Sequence, residues 1–270
     1  IESARTCGFS LLKKDELNPV RATSYGLGEM LASAIKDGCR DFIIGLGGTC
    51  TSDAGIGMLR AMVEKLKPAT SFGDLLGGVL CKCHFTLASD VTAPLLGFNG
   101  AAHVFAPQKG ADRVMVNIIE ERGRRFAEMS ARYFGYDRST TPGAGAAGGL
   151  GYAFLQYMHA TTLSGAELML NTADFSDKVK GATAVITGEG CSDSQTLMGK
   201  LPSVIKQYAD EDNVPTWLLS GKVKSDAWAE LIASFSVVKA VSDPLKPLEY
   251  NMLKDVARQN IALSAMSCLQ

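Results

Sequence analysis

The sequence predicts an α/β protein with a mostly parallel sheet, doubly wound, and a second α/β domain inserted into the first. Short apolar runs that end in Gly, Ser or Asp alternate with segments of helical periodicity, which is typical of parallel βαβ units. The middle of the chain differs in composition, because Gly- and Pro-rich loops surround one long helical segment. Sheets of this kind bind ligands beyond the carboxyl ends of their strands. The polar residues that follow the apolar runs are therefore the candidates for function.

Five apolar runs are predicted strands, and their continuous Val, Ile and Phe content favours burial on both faces. They are residues 41–48, 84–90, 182–190, 214–221 and 235–243. We expect residues 42–45, 184–187, 217–219 and 237–240 to lie in a single sheet.

Two segments have the periodicity of amphipathic helices. In residues 24–38 the apolar face consists of Leu27, Met30, Leu31 and Ile35, and Gly38 ends the helix. Residues 253–267 repeat this pattern near the end of the chain. The change in composition in the middle of the chain predicts one domain from residues 1–64 and 165–270, and an inserted domain from residues 65–164.

The composition excludes several classes of function. The chain has 270 residues, 46% of them hydrophobic and 20% charged, which predicts a soluble globular protein with a sizeable core. A net charge of -1 gives no electrostatic footprint for nucleic acid, and no apolar run is long enough to cross a membrane. Seven cysteines without a signal peptide favour free thiols in a reducing cytoplasm. We also expect further residues before Ile1.

The first candidate site is the stretch "GLGGTCTSDAGIGML", in which a strand gives way to a helix. Its glycines allow a sharp turn that points N–H groups at an anion. The alternative is a simple helix cap, in which Ser52 or Asp53 accepts hydrogen bonds from the first amides of the next helix.

The second candidate is "GEGCSDSQTLMGK", which follows a predicted strand. It is not a P-loop, because its Gly-Lys pair is too far from the first glycine and Leu201 stands where a hydroxyl residue is required. Glu189 and Asp193 offer carboxylates for Mg²⁺ or for proton transfer, and Lys200 offers a charge for phosphate. The alternative is an Asp or Ser cap beside a solvated lysine.

Three weaker patterns carry little chemistry. Gly143, Gly145 and Gly148 match the spacing of a dinucleotide fingerprint, but a loop rather than a strand precedes them, so close backbone packing is the preferred interpretation. The stretch "CKCHF" lacks the second ligand pair of a zinc site and is interpreted as an ordinary strand. His103 and His159 are remote in sequence from the acid-rich loops and support no catalytic triad.

Four long motifs follow one another along the chain: "IIGLGGTCTSDAGIGML", "SDVTAPLLGFNGAAHVFAPQKGA", "PGAGAAGGLG" and "ITGEGCSDSQTLMGKLP". In this order they resemble the bacterial class I glycerate kinase family, and the resemblance extends from "NPVRATSYGLGE" to the last helix. It implies a Rossmann-like domain with an inserted α/β domain. It also implies a cytoplasmic kinase that uses ATP and Mg²⁺ to phosphorylate D-glycerate, usually to 2-phosphoglycerate. Homodimerisation stays open.

The candidate stretches and the resemblance together predict a role for each of the following residues. Asp193, Lys200 and Asp53 are the predicted catalytic residues, and Glu189 with Asp193 is the predicted metal site. Substrate binding is predicted for Ser52, Asp90, Lys109 and Gln195. Nucleotide binding is predicted for Gly47, Gly48, Thr49, Thr51, Gly188 and Gly190. We expect the loops 47–53 and 189–200 to converge on one cleft between the domains.

Departures from the family pattern leave alternatives open. Cys191 stands where the family typically has arginine, whose planar fork suits a carboxylate or phosphate. Ser52 replaces a usual asparagine, and Ala54 replaces a usual glycine. One alternative is a weakened relative that binds a small anion or nucleotide without efficient turnover. The other is an NAD-dependent dehydrogenase, which only the spacing of Gly143 to Gly148 favours.

Overall fold

The protein, described by a computed structural model for residues 1–268, consists of two compact units, residues 1–165 and residues 166 onward. Each unit contains a three-stranded parallel sheet. The predicted α/β class and parallel pairing are confirmed. The expected single sheet is wrong, because residues 42–45 pair with strands of their own unit. The division into a discontinuous and an inserted domain stays a prediction.

The sheet of the first unit contains three strands in the order β1 (Asp41–Gly45), β2 (His84–Ala88) and β3 (Thr161–Leu163). Phe42 of β1 stacks on Phe85 of β2 with ring centroids 5.0 Å apart, which joins the two strands by an apolar contact beside their hydrogen bonds. β3 was not predicted, because three residues are too few to show a pattern. The strands place Leu46 to Asp53 and Ser89 to Asp90 at neighbouring carboxyl ends.

The sheet of the second unit has the order β4 (Val185–Ser192), β5 (Thr216–Val223) and β6 (Val237–Ala240). β5 is buried along residues 216–220, as its continuous apolar run predicts, because strands flank it on both sides. The expected burial on both faces is wrong for β1, in which exposed and buried residues alternate. Glu189 lies opposite Ser220 in the β4–β5 register.

Both predicted helices form, but their apolar faces differ from the expectation. Leu27, Leu31 and Ile35 are buried, whereas Met30 is 38% exposed, because it lies on the flank of the stripe that the other three form. The helix near the end of the chain has no fully buried residue. The helices of the described residues are α1 (Ala4–Cys7), α2 (Tyr25–Lys36), α3 (Ile56–Lys65), α4 (Phe72–Gly77), α5 (Ala101–Phe105), α6 (Arg113–Phe134), α7 (Ala146–Met158), α8 (Gly165–Thr172), α9 (Phe175–Val179), α10 (Leu201–Glu211), α11 (Trp228–Ser234), α12 (Leu248–Asn251) and α13 (Lys254–Met266).

The main core of the first unit surrounds α7, where Tyr152 and Phe154 are fully buried. The second unit has a smaller core, in which Leu218 and Leu231 are fully buried. Within residues 1–268, no helix combines the length and the apolar character that crossing a membrane requires.

Candidate active site

Asp193 lies at the centre of a group of charged side chains just beyond β4. Its Oδ1 accepts a hydrogen bond from Lys200 Nζ at 3.2 Å, and its Oδ2 accepts one from Lys224 Nζ at 3.0 Å. The ion pair with Lys224, followed by that with Lys200, lowers the pKa of the Asp193 carboxyl. Asp193 is therefore ionised at neutral pH. We call Glu189, Asp193, Lys200 and Lys224 the acid–lysine cluster.

Glu189 is held in this cluster by hydroxyl groups. Its Oε1 accepts hydrogen bonds from Ser192 Oγ and Thr196 Oγ1, and its Oε2 lies 3.9 Å from Lys200 Nζ. Ser192 in turn shares a hydrogen bond with Ser220 on β5. The hydroxyl network fixes one carboxylate oxygen, and the other stays directed to the lysine.

β4 continues further than the sequence indicated. The predicted run of residues 182–190 ends two residues too early, because pairing with β5 extends to Ser192, and Glu189 lies within the strand. A 3₁₀ turn, Ser194–Leu197, follows, and Asp193 caps it by accepting a hydrogen bond from Gln195 N at 3.1 Å. The cap predicted as the alternative role for Asp193 is thus present together with the two lysine contacts.

A large cavity of about 1150 Å³ adjoins Glu189 inside the second unit. It follows the ends of all three strands, and Gly190, Lys222 and Asp243 are among its lining residues. This is the position at which parallel α/β sheets bind their ligands. Glu189, one member of the acid–lysine cluster, therefore lines a space large enough for a nucleotide.

The two predicted nucleotide-binding glycines of β4 differ in their surroundings. A Cβ on Gly188 would lie 2.1 Å from the Leu219 carbonyl oxygen, so this glycine permits the close approach of β5. A Cβ on Gly190 would meet nothing within 4 Å. Gly190 faces open space and is the better placed of the two for contact with a ligand.

In the first unit, Lys109 is buried against the glycine-rich loop. Its Nζ donates to Thr51 O at 2.5 Å and approaches Thr49 Oγ1 at 3.4 Å, and the residue is 3% exposed. Burial lowers the pKa of Lys109 to about 8. Its visible role is to hold the loop, in which Gly48 has a φ of 70°, and the predicted substrate contact of Lys109 stays a prediction.

Asp53 joins the starts of two helices. Its Oδ2 accepts hydrogen bonds from Ser24 N at 2.8 Å, from Ser24 Oγ at 2.9 Å and from Gly57 N at 3.2 Å, and its Oδ1 accepts one from Gly55 N. Thr23 Oγ1 approaches Oδ2 at 3.3 Å. These contacts are those of a cap for α2 and α3, and a catalytic role for Asp53 stays a prediction.

The other predicted site residues have separate surroundings. Asp90 is exposed and accepts a hydrogen bond from Gly165 N at 3.1 Å. Gln195 is exposed next to Asp193. Ser52 is buried, and its Oγ has no hydrogen-bond partner among the described residues. Gly47 faces open space, because a Cβ added to it would meet nothing within 4 Å.

The glycines at 143 to 148 serve packing, as the sequence indicated. A Cβ on Gly145 would lie 2.2 Å from Pro94 O, and one on Gly148 would lie 2.1 Å from Thr51 O. These glycines bring the start of α7 against the loops at Pro94 and Thr51. The elements described before them are helices and a loop, which removes the basis for a dinucleotide fingerprint.

Comparison with known proteins decides the family. The profile of the glycerate kinase family matches residues 1–71 and 74–268. This chain belongs to the glycerate kinase family. It is 33% identical to a glycerate kinase of Halalkalibacterium halodurans over 97% of this chain and 75% of that protein. It is 34% identical to a glycerate 2-kinase of Escherichia coli over 84% of this chain and 64% of that protein.

A solved structure supports the same assignment. A crystal structure of a putative glycerate kinase 2 from Salmonella typhimurium LT2 superposes with a TM-score of 0.74 at 30% identity, and the match covers 100% of this chain and 75% of that one. Members of the glycerate kinase family are phosphotransferases, so the protein is an enzyme of this class.

The donor set limits how a glycerate kinase of this sequence would hold Mg²⁺. Among residues 1–268, no group of three or more His, Cys, Asp or Glu side chains is arranged to bind a metal ion. Glu189 and Asp193 supply two carboxylates, which fits an ion that arrives with the phosphates of a nucleotide and keeps several waters. Two carboxylates do not fit a Mg²⁺ ion that is held by protein ligands alone.

The sequence reasoning missed three members of the site. Lys224 follows the end of β5, and the rule that ligands lie beyond the carboxyl ends of strands would have selected it. Ser192 and Thr196 lie inside the second candidate stretch, but nothing in their spacing distinguishes the hydroxyls that bind Glu189 from those facing solvent.

Proposed function

We propose that this member of the glycerate kinase family is an ATP-dependent kinase that transfers the γ-phosphoryl group to a hydroxyl of D-glycerate and gives 2-phosphoglycerate. The observation that carries the proposal is the acid–lysine cluster, whose Glu189 lines the large cavity of the second unit. Two lysines and two carboxylates at the end of a parallel sheet suit a reaction whose catalysis rests on positioning and charge stabilisation.

Asp193 is the proposed acceptor of the hydroxyl proton. Because the two lysines lower its pKa, it is fully ionised at neutral pH and can accept a hydrogen bond from an alcohol. Its low basicity favours proton transfer late in the reaction, as the new P–O bond makes the hydroxyl acidic. We propose that Lys200 and Lys224 give up part of their hydrogen bonding to Asp193 when the nucleotide binds, and that they then bind phosphate oxygens.

Glu189 and Asp193 are the proposed ligands of Mg²⁺, which would neutralise phosphate charge when bound. The nucleotide is proposed to occupy the large cavity next to Gly190. The proposed roles of Asp53, Asp90, Lys109, Gln195, Ser52 and of the glycine-rich loop at 47–51 rest on the resemblance to the family. We further expect a cytoplasmic enzyme.

The test is ADP release measured with D-glycerate and Mg²⁺-ATP, together with melting curves in the presence of each ligand. We expect glycerate-dependent ADP release, a rise in melting temperature with Mg²⁺-ATP, and none with NAD. A rise with NAD and no ADP release would support the dehydrogenase instead.

A second candidate function is weak turnover caused by Cys191. This residue is exposed on β4 opposite Lys222, in place of the arginine that the family resemblance implies. A thiol lacks the bidentate donors of a guanidinium. If this explains weak activity, Cys191→Arg should raise kcat/KM for D-glycerate at least about tenfold, which corresponds to one charge-assisted contact. An unchanged kcat/KM would eliminate this explanation.

A further inference from the structure

The two carboxylate oxygens of Glu189 have different surroundings. Oε1 accepts hydrogen bonds from Ser192 Oγ at 2.8 Å and from Thr196 Oγ1, and both of these residues are fully buried. Oε2 accepts no hydrogen bond from the residues that the structure describes, and Lys200 Nζ lies 3.9 Å from it. The protein therefore occupies one oxygen of this carboxylate and leaves the other available to a ligand.

The direction of the hydrogen bonds around Oε1 follows from the number of protons available. A carboxylate only accepts hydrogen bonds, and a hydroxyl group has one proton to donate. Ser192 and Thr196 donate this proton to Glu189, so Ser220 must donate to Ser192 Oγ, and Asp193 N donates to Thr196 Oγ1 at 3.0 Å. Two chains of hydrogen bonds thus end on the same oxygen. We call Ser192, Thr196 and Ser220 the hydroxyl clamp.

The carboxylate of Asp193 has no comparable free oxygen. Its Oδ1 accepts hydrogen bonds from Lys200 Nζ and Gln195 N, and its Oδ2 accepts one from Lys224 Nζ. Among the carboxylate oxygens of the acid–lysine cluster, Glu189 Oε2 is therefore the one that receives no hydrogen bond within residues 1–268. Glu189 also lines the large cavity, so this oxygen is the most available ligand for a cation that arrives with a nucleotide.

We propose that the hydroxyl clamp restricts Glu189 to binding a cation through one oxygen, and that it thereby selects Mg²⁺ over Ca²⁺. Mg²⁺ is small, keeps several waters and needs a single oxygen from each carboxylate, whereas Ca²⁺ takes about six to eight oxygens and often binds both oxygens of one carboxylate. Ca²⁺ could use Oε1 only by breaking two buried hydrogen bonds, which is costly. This inference rests on the proposed function, in which Glu189 binds the metal ion of the nucleotide.

The test is calorimetric titration of the whole chain with adenylyl imidodiphosphate, an ATP analogue that is not hydrolysed, in saturating Mg²⁺ or in saturating Ca²⁺. The quantity compared is the cation ratio, which is the Kd of the Ca²⁺ form divided by the Kd of the Mg²⁺ form. We expect a ratio of at least about ten for the native protein, because the Ca²⁺ form lacks one oxygen ligand. Equal affinities for the two forms would overturn the proposal.

Variants of the clamp locate the effect. Ser192→Ala combined with Thr196→Val frees Oε1 and should lower the cation ratio about tenfold, whereas Thr196→Ser keeps the hydroxyl group and should keep the native ratio. The controls are Ser130→Ala and Thr216→Val, which each remove a buried hydroxyl group that does not contact Glu189 and should leave the ratio unchanged. Melting curves verify folding, and if the double variant does not fold, Ser192→Ala alone should lower the ratio about threefold.

The outcomes separate this inference from the proposed function. If the clamp variants keep the native cation ratio, the clamp has no role in cation choice, even where the native protein transfers phosphate to D-glycerate. If they lower the ratio while the native protein releases no ADP with D-glycerate, the role of the clamp stands and the kinase proposal fails. If the native protein binds neither form of the analogue, the inference is overturned.

Discussion

At the scale of single residues, Asp193 has two kinds of contact, which lead to opposite expectations for the effect of a substitution. As a cap of the 3₁₀ turn it would stabilise the fold, and as the partner of two lysines it would serve the reaction. Asparagine keeps the shape and the capping ability but cannot accept a proton or hold a metal. Asp193→Asn should therefore lower kcat at least about a hundredfold and leave the melting temperature nearly unchanged.

The measurement is ADP release and a melting curve on the same preparation. Asp212→Asn, an exposed aspartate of the same unit, is the matched control and should be neutral in both. A variant Asp193→Asn with nearly normal turnover and lowered stability would leave the residue as a cap alone.

Lys109 gives a prediction for the pH dependence of stability. Burial lowers its pKa from 10.5 to about 8, so the folded state binds this proton less tightly than the unfolded state does. The resulting destabilisation is complete below about pH 8 and disappears as the pH rises towards 10.5. The free energy of unfolding of the native protein should therefore increase, relative to Lys109→Met, between these values.

Denaturant unfolding of both proteins at several pH values from about 7 to about 10 measures this difference. Subtracting the variant removes the contributions of tyrosines, cysteines and other lysines that titrate in the same range. Parallel stability profiles for the two proteins would mean that Lys109 keeps an ordinary pKa in the folded state.

At the scale of elements, β4 contains one glycine that packs closely against β5, Gly188, and one that we propose to contact the nucleotide, Gly190. Gly188→Ala would force a Cβ against the Leu219 carbonyl and should destabilise the fold by about 1 to 3 kcal/mol. Gly190→Ala meets open space and should leave stability within about 0.5 kcal/mol. Because Gly190 lines the large cavity, the second change should raise the KM for ATP.

A melting curve and the KM for ATP are measured for each variant. Gly188→Ala and Gly190→Ala serve as controls for each other. An unchanged KM for Gly190→Ala would place the nucleotide elsewhere. Native stability for Gly188→Ala would mean that β4 and β5 tolerate a wider spacing.

The same element shows what the sequence could predict and what it could not. The apolar run before Glu189 predicted β4 correctly, since buried strands of a parallel sheet have that composition. The run was predicted to end at Gly190, whereas the strand continues to Ser192, because polar residues such as Ser192 remain in the strand by pairing with β5 and with Glu189. Such pairing depends on residues far along the chain, as with Ser192 and Ser220, which local patterns do not reveal.

Only those parts of the candidate site that lie within one short motif were predictable from the sequence. Asp193 and Lys200, seven residues apart, came from one motif and are in contact. The contact of Lys224 with Asp193 joins segments that are far apart in the chain, so local composition did not indicate it.

At the scale of the whole molecule, the two units have separate sheets and separate cores. A cavity made in one core should therefore loosen mainly the elements of that unit. Leu31→Ala should accelerate hydrogen exchange within residues 1–165, and Leu218→Ala within the second unit. Both leucines are fully buried, so the pair is matched in chemistry and burial.

Hydrogen exchange followed by mass spectrometry on peptides from both units measures this directly. Faster exchange across the whole chain in either variant would show that the units open together as one cooperative structure.

The identity of the reaction product decides whether the protein is the proposed glycerate kinase. The protein is incubated with Mg²⁺-ATP and D-glycerate labelled with ¹³C at C2 and C3, and the product is analysed by ¹³C and ³¹P NMR. We expect a phosphate ester at the C2 oxygen, seen as the phosphorus coupling pattern of 2-phosphoglycerate, and we expect this ester to be lost with Asp193→Asn. A product esterified at C3 would contradict the proposed product, and the absence of any glycerate ester would contradict the kinase activity itself.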